Sequence, residues 1–177
     1  MLRGKILSLV SPAVVGRTPA GIPYGSTSGM MYRELNPLVR RSYVVPYEVF
    51  ECEDYDATYY AVMRLGLAAD VTLLGTANPS SVQKLVETAS THADRLIRDL
   101  HDGTLDRDLA IEPRIRRVVE RRLRADPERA KGCDAARRKR DGQLLPADFW
   151  PELALIACWK GGTVGATVER FAEWFDP

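Results

Sequence analysis

The chain has 177 residues, 45% of them hydrophobic and 28% charged, with 25 Lys and Arg against 24 Asp and Glu. These values fit one globular domain and exclude a disordered tail, a collagen-like repeat and a disulfide-stapled miniprotein. A net charge of +1 directs the chain to neither nucleic acid nor an anionic membrane, and no apolar run approaches the roughly 20 residues a spanning helix needs.

Residues 5–10 read as a buried strand; they run into a Pro/Gly-rich loop with no small-residue cleavage site, so the basic start is not a signal peptide. Glycines and prolines then punctuate residues 11–29. Residues 42–50 are rich in Val, Tyr and Phe, but Pro46 predicts an edge strand or a break. Asp54 or Asp56 caps a helix carrying Tyr60, Met63 and Leu67 on one side. Residues 71–74 are continuously apolar, which suggests a strand buried on both faces of a parallel sheet. Asn78 and Pro79 open a long helix with an apolar stripe from Val82 to Leu100, and Asp102-Gly103 stops it. Glu112-Pro113 starts a further helix on Ile115, Val118, Val119 and Leu123, and Asp126-Pro127 another. Residues 153–159 read as a second buried strand, 160–163 as a tight loop, and Val164, Val168, Phe171, Ala172 and Phe175 as the face of a closing helix. The whole reads as a single α/β domain over 1–177, extended and loop-rich over 1–52, then alternating helices and buried strands over 53–177.

Cys52, Cys133 and Cys158 form an odd set without a C-x-x-C pair, which suits a reducing, cytoplasmic setting. His92 and His101 are nine apart, not at helical zinc spacing, so no metal site is expected. No G-x-S-x-G elbow supports a serine triad. Four stretches combine chemistry with a simpler explanation. Gly25-Ser-Thr-Ser-Gly29 could wrap a phosphate but lacks a following Lys-Ser/Thr, so a flexible turn is the simpler reading. Asn78-Pro-Ser-Ser81 and Lys160-Gly-Gly-Thr163 both sit where a strand gives way to a helix, the ligand side of an open α/β sheet, with helix capping and close packing as the alternatives. Residues 113–142 hold twelve Lys and Arg against five Asp and Glu, including Arg137-Arg-Lys-Arg140. That basic segment offers a second function class, a non-catalytic module for an acidic partner, against a solvated helix face. Glu48, Glu51, Glu53, Asp54 and Asp56 read as caps and solvated charge rather than an acid/base pair, and Trp150, Trp159 and Trp174 as packing residues.

Five stretches in order carry a family resemblance: residues 11–29 (SPAVVGRTPAGIPYGSTSG), 45–50 (VPYEVF), 70–81, 100–105 (LHDGTL), and 150–162 from Trp-Pro-Glu-Leu to Trp-Lys-Gly-Gly. Together they resemble the auxin-responsive acyl acid–amido synthetase family, in its bacterial form, within the acyl-adenylate-forming superfamily. The resemblance implies part of the large domain of an adenylating enzyme, with short parallel strands flanked by helices. It implies ATP-dependent activation of a carboxylic acid and transfer of the acyl group to an amine or amino acid, with ATP and Mg²⁺ as cofactors of the full-length enzyme. The family's nucleotide motifs have no counterpart here: its hydroxyl-rich ATP loop belongs upstream of the matched region and its Tyr…Ser-Glu motif beyond Pro177. The resemblance therefore implies a fragment that binds no cofactor and is catalytically incomplete by itself, so no catalytic residue is carried over. Its substrate-binding positions are Met63, Arg64 and Thr76 on the acid-pocket wall; without the resemblance, Met63 reads as core and Arg64 as surface. A piece of a larger sheet is also expected to self-associate through uncovered edges.

Overall fold

The computed structural model describes residues 4–161 and 165–175. The first strand, β1 (Lys5–Leu9), leads into a minimal hairpin of β2 (Gly16–Arg17) and β3 (Pro23–Tyr24), then two short helices, α1 (Thr27–Arg33) and α2 (Pro37–Arg40). Over residues 42–50 the break prevails. Tyr43 makes one parallel bridge to Ile6, and Pro46 then starts a 3-10 turn, Tyr47–Glu51, because it has no N–H to continue a ladder. Helix α3 (Tyr55–Leu67) follows with Asp54 as its cap, the carboxylate accepting from the Ala57 N–H at 2.7 Å. Every residue from Ala57 to Leu67 is buried, so this helix is wrapped on all sides rather than on one stripe.

Strand β4 (Val71–Thr76) is the middle of a three-stranded parallel sheet, order β1-β4-β5. Its Val71 and Leu74 are wholly buried. The chain then departs from the single long helix expected after Asn78. Helix α4 (Pro79–Thr91) ends at His92, whose backbone (φ −109°, ψ 19°) closes one helix and opens the next, α5 (Ala93–Asp102). Both pieces pack on α3, and the break re-aims the second apolar face (Ala93, Leu96, Leu100). Gly103 ends α5 in the left-handed conformation, φ 73°, where an added Cβ would also meet the Ala125 nitrogen at 2.6 Å.

Helix α6 (Pro113–Glu120) stops before Leu123, which stays buried in the following turn. Helix α7 (Pro127–Lys139) is capped by Asp126 and lies along α5, and α8 (Pro146–Phe149) precedes the last strand. That strand, β5 (Leu155–Ala157), corrects the expectation of a second buried strand. Among the described residues it pairs only with β4, at the edge of the sheet, and Leu155 is 53% exposed. Trp159 likewise is 74% exposed, whereas Trp150 and Trp174 are buried as packing residues. The closing helix is two short pieces, α9 (Gly165–Glu169) and α10 (Phe171–Phe175); Gly162, Thr163 and Val164 lie outside the described residues.

Candidate functional site

In a parallel sheet the C-terminal strand ends face ligand, because loops and helix N-termini converge there. At that end of β1 and β4 lies a cleft of about 330 Å³. Leu9 and Val10 close one side, and Thr76, Ala77 and Asn78 the other. The first turns of α3 supply Tyr55, Thr58 and Tyr59, the turn before α3 supplies Phe50, Cys52 and Glu53, and α4 supplies Ser81. Ser28 of α1 completes the rim. The walls are thus aromatic and hydroxyl-bearing, the usual mix for holding and orienting a small ligand.

Local chemistry explains these placements. Gly25 and Gly29 permit the N-terminal loop to close on itself, since a Cβ at Gly29 would meet the Ser11 carbonyl oxygen at 2.2 Å and one at Gly25 that of Ala13 at 2.3 Å. That close approach, with Ser26 capping α1 and sharing a 2.7 Å hydrogen bond with Ser28, accounts for the hydroxyl-rich run without a phosphate. Asn78 caps α4 with its side-chain oxygen on the Ser80 N–H at 3.2 Å. The Tyr55 hydroxyl donates to that of Tyr59 at 3.1 Å, and their ring centroids lie 4.7 Å apart. Burial holds the Tyr59 phenol well above its ordinary range, so it acts as a neutral hydroxyl. Burial likewise raises the Cys52 thiol, whose sulfur faces the Ala110 carbonyl at 3.8 Å; the cleft thiol is no thiolate nucleophile. Glu112, just behind it, is held below the usual carboxylate range chiefly by the Glu53 N–H.

Of the positions singled out in the sequence, the structure brings Thr76 to the cleft wall and places Met63 and Arg64, both wholly buried, in the core behind it. The reason is the direction of α3: its first two turns face the cleft and its middle is enclosed. Arg64 is therefore not a surface residue. Its Nε donates to the Thr104 carbonyl at 3.0 Å and an Nη to that of Arg124 at 3.4 Å. Burial pulls its pKa down, and the buried Asp99 carboxylate opposes that shift. Phe50, Tyr55 and Tyr59 were missed. The strand-end rule that singled out residues 78–81 reaches Ser81, but no local pattern marks those three.

The basic segment sorts into paired and solvated charge. Arg137 meets Asp94 at 2.7 Å, Arg138 meets Asp134 at 2.7 Å and Arg140 meets Asp148 at 3.1 Å, so much of that charge is neutralised within the chain. A smaller cavity of about 200 Å³ opens at the opposite end of β4, beside Arg129 and Trp150. Arg129 there is committed to Asp70 and to the carbonyls of Ala69 and Phe149.

The GH3 family N-terminal domain model matches residues 1–177. The chain belongs to the GH3 family. Its fold is similar to the solved structure of the GH3.15 acyl acid amido synthetase, with a TM-score of 0.77 at 18% identity, covering 97% of this chain and 31% of that one. It is equally similar to the AtGH3.15 acyl acid amido synthetase in complex with 2,4-DB, with a TM-score of 0.79 at 20% identity, covering 97% and 30%. The chain thus spans about a third of the length of the solved structures it matches. No match was found among curated proteins. The residues that line the cleft do not fit the ATP and Mg²⁺ that the family implies. Among the described residues no Lys, Arg or His lines the cleft, and no group of three or more metal-ligating side chains occurs. No helix among the described residues is long and apolar enough to cross a membrane.

Proposed function

We propose that this GH3 chain forms part of the acid-binding wall of an acyl acid–amido synthetase, a ligase that adenylates a carboxylic acid and passes the acyl group to an amine or amino acid. The observation that carries the reading is position: the aromatic, hydroxyl-lined cleft sits at the C-terminal ends of β1 and β4 in a chain of this family. Thr76, Tyr59 and Ser81 hold and orient the acid, while Met63 and Arg64 act from behind by fixing α3. ATP and Mg²⁺ belong to the whole synthetase, which works in the cytoplasm on small molecules rather than on nucleic acid or a membrane. The 177 residues alone bind the acid but form no acyl-adenylate.

Two measurements on the purified chain test this. Titration with 4-phenylbutyrate, followed by amide ¹H–¹⁵N spectra, is expected to move the resonances of Thr76, Ser81 and Tyr59. No shift at those positions overturns the cleft assignment. Carboxylate-dependent exchange of pyrophosphate into ATP by this chain alone overturns the division of labour.

A further inference from the structure

Among the described residues, a carboxylate entering this cleft meets no cation in its lining. None of the cleft residues is Lys, Arg or His, and the single carboxylate-bearing one is Glu53. Beside the rim, Lys84 lies over the Tyr55 ring at 5.9 Å and is held by Asp56 at 2.7 Å, and Lys160 follows Trp159, whose N–H donates to the Ala77 carbonyl at 3.2 Å, but it is not among the lining residues. Helix N-termini would be the other source of positive potential, and three reach the cleft: the seven-residue α1 is capped by the Ser26 hydroxyl, which accepts from the Gly29 N–H at 3.5 Å, and the two longer helices are capped as well. At α4, Pro79 has no N–H, Ser80 donates to the Asn78 side chain at 3.2 Å and Ser81 donates to the Asn78 carbonyl at 3.0 Å. At α3, the Asp54 carboxylate occupies the end and accepts from Ala57. An ionised carboxylate moved into such a place loses its water and gains no counter-charge, which is strongly unfavourable.

Resting on the proposed function, we infer that the cleft admits the uncharged body of the acid and leaves its carboxylate at the mouth, with Glu53 excluding acids that carry a second anionic group. The aromatic faces of Phe50 and Tyr55 and the Tyr59 and Ser81 hydroxyls suit an aryl or alkyl body with at most neutral polar substituents. Selection against the second charge comes from repulsion by Glu53 added to desolvation, so it operates through exclusion rather than through a contact to the favoured acid.

The test compares three probes on the 177-residue chain by isothermal titration calorimetry: 4-phenylbutyrate, its primary amide, and 4-(4-carboxyphenyl)butyrate. The acid and the amide are expected to bind within about threefold of each other, and the dicarboxylate about tenfold or more weakly. Glu53→Gln is expected to narrow the gap between dicarboxylate and monocarboxylate to about threefold. Ser81→Trp, which fills the cleft, is expected to abolish binding of all three while the far-ultraviolet circular dichroism stays native. An acid binding about tenfold or more tightly than its amide overturns the inference and leaves the acid-wall reading standing. So does a dicarboxylate that binds wild type as well as the monocarboxylate does, or a gap unmoved by Glu53→Gln. Absence of binding by all three probes overturns both.

Discussion

Asp99→Ala is expected to come close to unfolding the chain. Asp99 is only 3% exposed, and its carboxylate accepts from the Tyr60 hydroxyl, the Thr104 hydroxyl and the Asp106 N–H, each at 2.8 Å. Thr104 is exposed and finds water once the carboxylate is gone; Tyr60 and Asp106 are buried and do not. Two buried donors without acceptors cost about 1–3 kcal/mol each. The same carboxylate offsets the burial of the Arg64 guanidinium, one nitrogen of which has no hydrogen-bond partner among the described residues. Arg64 and Asp99 share no direct ion pair, so the two stranded donors set the scale, a loss of roughly 4 kcal/mol against a domain total of about 5–15. Urea unfolding followed by circular dichroism measures it. Arg64→Met added to Asp99→Ala removes the stranded cation, so the double variant should lose about 1 kcal/mol less than the two single losses combined. A loss below about 1 kcal/mol for Asp99→Ala, or strict additivity in the double variant, would refute this account of the network.

Two glycines separate packing from propensity. Gly29→Ala drives a Cβ to 2.2 Å from the Ser11 carbonyl oxygen and should cost about 1–3 kcal/mol, whereas Gly132→Ala inside α7, where a Cβ meets nothing within 4 Å, should gain about 0.5–1 kcal/mol; thermal melting reads both. His92 joins α4 to α5 with its ring edge-on to Tyr60 at 5.7 Å, and burial first, then Arg95, lowers its pKa below 6.5. A folded pKa below the unfolded one means that the unfolded chain binds the proton more readily. Stability should be fully present above about pH 6.5 and decline as pH falls through the lowered value; a urea midpoint that is flat from pH 7 to 5, or that declines equally in His92→Gln, would count against it. The open edge of β5 should support self-association that Leu155→Lys weakens, read by sedimentation equilibrium across a concentration series; a wild-type chain that stays monomeric throughout removes the idea.

What was legible in the sequence was what is settled within a few residues. Asp54, Asn78 and Asp126 cap helices because a side-chain oxygen two or three residues from a free N–H needs no tertiary help. The apolar run at 71–74 marks a central strand because both of its faces are covered. The misreadings lie where partners are distant. Residues 153–159 are as apolar as 71–74, and only the strand order makes β5 an edge. Arg64 sits where a helical pattern allows a surface cation, and its burial depends on Thr104, Asp99 and Arg124, some 35–60 positions away. The cleft has the same character: Thr76 and Asn78 follow from the strand-end rule, while Phe50, Glu53, Tyr55 and Tyr59 reach it because α3 is packed to point its first turns there.

The structure divides α3 into an anchored half and a half that faces the cleft. Its C-terminal half is held by the Arg64 and Tyr60 contacts and by the Trp150 indole, which donates to the Gly66 carbonyl at 2.9 Å. These groups are buried and mutually dependent, so a change in any one propagates to the others. Its N-terminal turns contribute Tyr55, Thr58 and Tyr59 to the cleft, and Tyr55 is 61% exposed, free of the core. Tyr55 can change size and polarity without disturbing the anchored half, whereas Thr58 and Tyr59 are buried and packed with it. Under the acid-wall function proposed above, the buried network would fix where the wall stands, and the few residues at 50–59 and 76–81 would set what fits against it.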